Sequence, residues 1–221
     1  MNISNNVIKH YLKNVYFITG TAYAGKSTTV RMLAERYDMI CCGENYHMAV
    51  SESVATPDSH PDLCYNRSLT DWRDFVTRSP EEYERWIYAV GREAAEFEVA
   101  ALIALGGDRR VIVDTNIPVD ILREISDYDH VAVMLAEQSM SVDRFFDRSD
   151  PDKQFLLSVI DRCDDPAAVM ENYRRGLARI NSREHYDEYA QSGFFTVVRD
   201  RSDADTREQV CAAIAKHFGL A

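Results

Sequence analysis

The sequence predicts an α/β protein: three layers, with a doubly wound parallel sheet covered by helices on both faces. Short apolar, β-rich runs alternate along the chain with segments of helical period. The runs are apolar almost throughout, not at every second residue, as strands buried on both faces are. A glycine-bracketed turn also joins the first run directly to a helical segment.

Val15 to Thr19 is the first strand, and Lys26 to Arg36 is the helix after it, with Val30, Leu33, Ala34 and Tyr37 on its apolar face. Met39 to Cys42 follows as a strand. Glu44 to Arg78 has no clean period and carries Pro57, Pro61, His47, His60, Arg67 and Arg73. A stretch that long inside an α/β domain is expected to be a functional insert. Next comes the strongest helix, with Tyr83, Trp86, Ile87, Val90, Ala94, Phe97, Ala101 and Leu105 at spacings of one, three and four. Ser79-Pro80-Glu81-Glu82 supplies its cap, first-turn proline and first-turn acids, and Gly106-Gly107 stops it. Val111 to Asp114, His130 to Ala136 and Phe194 to Val198 are the remaining strands. Pro118 to Ile125, Val142 to Phe146, Lys153 to Cys163, Pro166 to Ile180 and Thr206 to Phe218 are helices. No linker, repeat or low-complexity tract divides residues 1–221, so a single domain is expected.

The formal charge of −11 argues against a long nucleic-acid partner, whose phosphates call for the opposite sign. No apolar run approaches the ~20 residues that span a bilayer, and Met1 to Asn14 has no apolar core of a signal peptide, so a cytoplasmic protein is expected. Five cysteines, at 41, 42, 64, 163 and 211, form no C-x-x-C pair and fit free thiols in a reducing compartment. The histidines are scattered without i,i+4 pairing and imply no metal cage. From Tyr173 to Tyr189, basic and aromatic residues are balanced by Glu184, Asp187 and Glu188, as on a solvated helix face. Oligomeric state leaves no mark on the sequence.

Gly20-Thr21-Ala22-Tyr23-Ala24-Gly25-Lys26-Ser27 satisfies G-x-x-x-x-G-K-[ST], with Thr28 continuing into the helix. The glycines let successive backbone N–H groups face a phosphate, and the helix adds the positive end of its dipole. Lys26 supplies an ammonium for the β- and γ-phosphates, and the Ser27 hydroxyl holds Mg²⁺. The motif lies between an apolar strand and an amphipathic helix, the context its mechanism needs. It calls for ATP and Mg²⁺.

Around Gly20 to Thr28, and in its order of elements over nearly the whole chain, the sequence resembles the P-loop kinases of the nucleoside-monophosphate-kinase and shikimate-kinase type. The resemblance implies a five-stranded parallel sheet in the order 2-3-1-4-5, an acceptor-binding insert after the second strand (44–80) and an arginine-bearing lid after the fourth (139–165). Tyr23 departs from it, standing where many of these kinases have glycine. Val111-Ile112-Val113-Asp114-Thr115-Asn116 also looks like the Asp-x-Thr-Asn run of polynucleotide-kinase and zeta-toxin-like families, one residue shorter.

Asp114 ends an apolar strand, and an acid there commonly holds a magnesium-bound water beside the loop serine. The competing role, capping the helix that begins at Pro118, falls more naturally to Asn116. Glu44 lies past the second strand, where it accepts a proton or hydrogen bond from the phosphoryl acceptor or is a solvated loop acid. Arg144 and Arg148, four apart, share one face if helical. They clamp the transferring phosphoryl group or pair with Asp143, Asp147, Asp150 and Asp152. Arg199 and Arg201, after the last strand, are candidates to flank the adenine. The function expected is phosphoryl transfer from Mg·ATP to a small-molecule hydroxyl or phosphate acceptor. The alternatives are a polynucleotide- or toxin-type kinase and a regulatory module that binds ATP without transferring it.

Overall fold

The structure, a computed structural model, describes residues 3–136, 142, 145–147, 151–199 and 205–221. They divide into two compact units. The first comprises Met1–Val54, Gly91–Ala136 and Asp187–Ala221, and the second Ala55–Val90 and Glu137–Tyr186.

The first unit contains a five-stranded, all-parallel sheet in the order β2-β3-β1-β4-β5. Its strands are β1 (Val15–Gly20), β2 (Ile40–Cys42), β3 (Val111–Asp114), β4 (Val131–Leu135) and β5 (Phe195–Val198). β1, β3 and β4 are buried on both faces, which is why their sequences run apolar without alternation. On one face, Val15, Phe17, Val111, Val113 and Val131 meet Leu12, Ala95, Leu102, Ile117, Leu122 and Ile125. These come from the ends of α1 (Asn5–Tyr11), from the later turns of a long helix (Pro80–Gly106) and from α7 (Val119–Ile125) and the turn before it. On the other face lie α2 (Lys26–Tyr37) and the C-terminal helix (Arg207–His217). Cys211 Sγ lies 3.8 Å from Met32 Sδ, and the Tyr16 ring packs on Phe218. The result is a three-layer α/β fold.

The register brings the chemistry to one end of the sheet. Ile18 pairs with Asp114, and Gly20 with Met134, so the glycine-rich turn and the acid both leave from the carboxyl ends of adjacent strands.

The second unit draws on two separate stretches of the chain. The insert and the segment after β4 share one hydrophobic core: Phe75, Val76 and Tyr83 pack with Val159, Ile160, Tyr173 and Leu177. The insert is not irregular either, since the span 44–80 contains α3 (Met48–Val54), α4 (Pro61–Ser68) and α5 (Arg73–Val76). Each is too short to show a period in sequence. The helix Pro80–Gly106 is α6, opened by a reciprocal cap in which Ser79 N and Oγ donate to Glu82 Oε2 (3.0 and 2.9 Å) and Glu82 N donates to Ser79 Oγ (3.2 Å). The expected helix Lys153–Cys163 spans Pro151–Ile160 (α8), followed by α9 (Pro166–Ile180) and α10 (Arg183–Ala190). Phe145–Asp147 forms a 3-10 turn, so the end of the helix expected over Val142–Phe146 is not α-helical, and residues 143 and 144 lie outside the described residues. Arg179 pairs with Glu84 (2.6 Å) and Glu81 (3.1 Å), consistent with a solvated helix face. Among the described residues no helix is long and apolar enough to cross a membrane.

Candidate functional site

The Gly20–Ser27 turn is held by contacts that only certain residues permit. Gly20 has φ 124°, and a Cβ built on it would lie 2.0 Å from the Met134 carbonyl oxygen. Thr21 N donates to that same oxygen at 3.0 Å, and the Thr21 hydroxyl accepts from Ala136 N at 2.7 Å, so the turn is tied to the end of β4. Gly25, at φ 93°, is the residue from which α2 departs. Tyr23 also lies in the left-handed region, at φ 64°. The kinases this loop resembles often place glycine there, and a side chain in that conformation costs about 1–2 kcal/mol. Arg199 Nη1 donates to the Tyr23 carbonyl at 2.8 Å, holding the loop from the end of β5.

Lys26 Nζ folds back over the turn and donates to the carbonyls of Gly20 and Thr21, both at 3.1 Å. Those carbonyls point their negative ends at the ammonium, as an anion at the mouth of α2 would.

Asp114 is 1% exposed at the end of β3. Ser27 Oγ donates to its Oδ2 at 2.6 Å, while Oδ1 is buried with no hydrogen-bond partner. Burial raises its ionisation above the ordinary carboxylate range; Lys26 and the Ser27 bond oppose this, and the charge of Glu44 adds to it. A buried carboxylate oxygen with no partner is costly. A hydroxyl and a carboxylate in contact beside a phosphate-type loop form a hard-oxygen donor pair. These residues therefore fit Mg²⁺ held jointly with phosphate oxygens and water. Among the described residues no cluster of three or more His, Cys, Asp or Glu could hold a metal by itself.

Glu44 is exposed, two residues past β2, and its Oε1 accepts from Asn116 Nδ2 at 2.9 Å. Asn116 does not cap the following helix as its position suggests. Pro118 is the N-cap residue there, with no side-chain cap bond. The structure thus brings Lys26, Ser27, Asp114 and Glu44 to the carboxyl ends of β1, β2 and β3 within one unit. Arg144, Arg148 and Arg201 lie outside the described residues.

Beneath these groups lies a network that the sequence reading missed. Glu98, in α6, is 1% exposed. Its Oε2 accepts from Thr115 Oγ1 at 2.7 Å, and its backbone carbonyl accepts from Tyr46 Oη at 2.9 Å. Burial pushes the Glu98 carboxyl up to about 7, against the opposing hydrogen bonds from Thr115 and the Asn116 backbone. His47, 7% exposed, has an Nδ1 without a partner, and burial lowers its proton affinity. One signal was present: Gly91, Ala94, Glu98 and Leu102 follow the helical spacing of the buried face. Burial pushes the Cys42 thiol up to about 11, away from a reactive thiolate.

No family model and no curated protein matches this chain. Among solved structures, the chain is similar to an uncharacterized protein from Eubacterium ventriosum ATCC 27560, with a TM-score of 0.39 and 12% identity over 94% of this chain and 98% of that one.

Proposed function

We propose that this protein is an ATP-dependent phosphotransferase, similar to nucleoside-monophosphate and shikimate kinases, that moves the γ-phosphoryl group of Mg·ATP to a hydroxyl or phosphate of a small molecule. The Ser27–Asp114 contact, with Asp114 Oδ1 left buried and unpartnered, carries the reading. A hydroxyl and a carboxylate in contact beside the glycine-rich loop support a divalent-cation donor pair there. Ser27 and Asp114 would hold Mg²⁺, which when bound neutralises charge on the β- and γ-phosphates.

The chain's own residues supply the rest. Lys26 exchanges its two carbonyl partners for phosphate oxygens, so the ammonium is paired in either state. The N-terminus of α2 adds favourable potential for an anion. Thr21, tied to Ala136, and Arg199, tied to Tyr23, keep the loop in one conformation, so little ordering is needed at the moment of binding. Glu44, oriented by Asn116, is the group placed to accept the proton of an acceptor hydroxyl.

The test is thermal and chemical unfolding of the protein with a non-hydrolysable ATP analogue and Mg²⁺, over a panel of small hydroxyl and phosphate acceptors. An analogue at a hundred times its Kd should add about 2.7 kcal/mol of stability, and a true acceptor should add a further increment. No stabilisation by Mg²⁺ and analogue would refute the reading. Stabilisation by nucleotide with no acceptor response and no transfer would favour a binding module instead.

A further inference from the structure

Building on the phosphotransferase reading, we propose that Glu98 is a positioning residue: from within α6 it fixes where Asp114 and Glu44 stand, without itself meeting substrate. Its bonds run to residues beside both acids. Thr115 Oγ1 donates to Glu98 Oε2 at 2.7 Å and accepts from Ile117 N at 3.0 Å, which pins the turn immediately after Asp114. Thr115 N donates to the Ile18 carbonyl at 3.0 Å, so the same residue is tied to β1. The Asn116 side chain, one residue further on, donates to Glu44 Oε1 at 2.9 Å. On the other side, Tyr46, two residues beyond Glu44, donates to the Glu98 backbone carbonyl at 2.9 Å. The carboxylate thus acts on the turn after Asp114 through Thr115, and the α6 main chain meets the Glu44 side through Tyr46.

The residue type supports a positioning role over simple packing. One turn further along α6 the buried position is Leu102, 0% exposed, and a leucine at 98 would fill such a position at no electrostatic cost. A carboxylate accepts and does not donate, so it suits the Thr115 hydroxyl that points at it. The phosphate loop has separate anchors, at Met134, Ala136 and Arg199. Disturbing Glu98 should therefore misplace Asp114 while leaving nucleotide binding alone.

The experiment measures Mn²⁺ affinity by electron paramagnetic resonance in the presence of a non-hydrolysable ATP analogue, alongside the metal-free affinity of a fluorescent ATP analogue. Thr115→Val is isosteric and deletes the hydroxyl, Thr115→Ser restores it, and Glu98→Leu deletes the acceptor. Thr115→Val and Glu98→Leu should weaken Mn²⁺ by about tenfold or more, since misplacing a ligand by ~1 Å is costly, with nucleotide affinity changed by less than about twofold. Thr115→Ser should recover Mn²⁺ binding, and Tyr46→Phe, which loosens only the Glu44 side, should leave it unchanged. Wild-type Mn²⁺ affinity in Thr115→Val would overturn the proposal, as would a loss that Thr115→Ser fails to recover or a parallel loss of nucleotide affinity. A wild-type protein that binds no nucleotide overturns the phosphotransferase reading itself, a result distinct from these.

Discussion

Glu98 makes the stability of this protein depend on pH in a direction opposite to the usual acid denaturation. Its ionisation moves from 4.5 in a solvated chain to about 7 in the folded protein, because burial disfavours the charged form more than Thr115 and Asn116 favour it. A raised carboxyl binds its proton more tightly when folded, so the folded state holds more protons between those two values and stability falls as pH rises through them. Each pH unit is worth roughly 1.4 kcal/mol, so the loss between pH ~4.5 and ~8 is about 3 kcal/mol. Glu98→Gln retains the carbonyl oxygen that Thr115 needs and has nothing to ionise. Urea unfolding of both proteins across this range compares a chain that has the Glu98 carboxyl with one that lacks it. The curves should nearly coincide at the acid end, with the variant more stable by about 3 kcal/mol at pH ~8. A constant difference at all pH values, or a variant less stable at pH ~8, would refute the reasoning, because the carboxyl would then be ionised at no cost in the fold.

Lys26→Ala should keep the fold, since Nζ donates to two loop carbonyls and belongs to no core, yet lose the ~2.7 kcal/mol that saturating nucleotide adds; unchanged analogue affinity in that variant would remove the loop from the mechanism. Asp114→Asn should raise the Mg²⁺ concentration for half-maximal activity while stabilising the nucleotide-free protein at neutral pH, because it removes a buried carboxylate whose ionisation burial opposes. Glu44→Gln should leave the Mg²⁺ requirement alone and lower kcat by ~10²- to 10⁴-fold; the two variants are compared by magnesium titration of turnover. Gly20→Ala forces a methyl to within 2.0 Å of a backbone oxygen at φ 124°, and should cost more than about 2 kcal/mol in urea unfolding or prevent soluble expression.

Much of the fold was legible because the strands are extreme. Val15 to Thr19, Val111 to Asp114 and Val131 to Leu135 are buried on both faces, so a short apolar run has no competing explanation once helices flank it. The 27-residue α6 was equally plain, since its cap, period and glycine stop agree. The second unit was not. Its core joins Phe75 and Tyr83 to Val159 and Tyr173, residues about eighty positions apart, and no local pattern reports a pairing at that distance. The strand order belonged to the same class of information, and it came from the resemblance rather than from the residues.

At the candidate site the legible part was the part that local geometry enforces. A phosphate-type loop must have glycine where φ is positive or where a backbone approaches, so Gly20 and Gly25 carry the motif in the sequence itself. Tyr23 breaks that correspondence: it takes a positive φ without being glycine, and the Arg199 bond to its carbonyl is the compensation visible in the structure. Glu98 is the converse case. Among Glu93, Glu96 and Glu98 the sequence shows three similar acids on one helix, and only the second dimension, which face meets the sheet, separates the buried one from the others. Helical spacing from Ala94 to Leu102 contains that information, but an acid on an apolar face reads as an exception until its partners are known. Those partners, Thr115 and Tyr46, are 17 and 52 residues away. A buried charge held by distant polar groups is therefore invisible to any reading that scores residues by type, while the structure makes it conspicuous by what it costs. At this site the cost is concentrated in two carboxylates: Asp114, which a cation would relieve, and Glu98, which a proton would relieve.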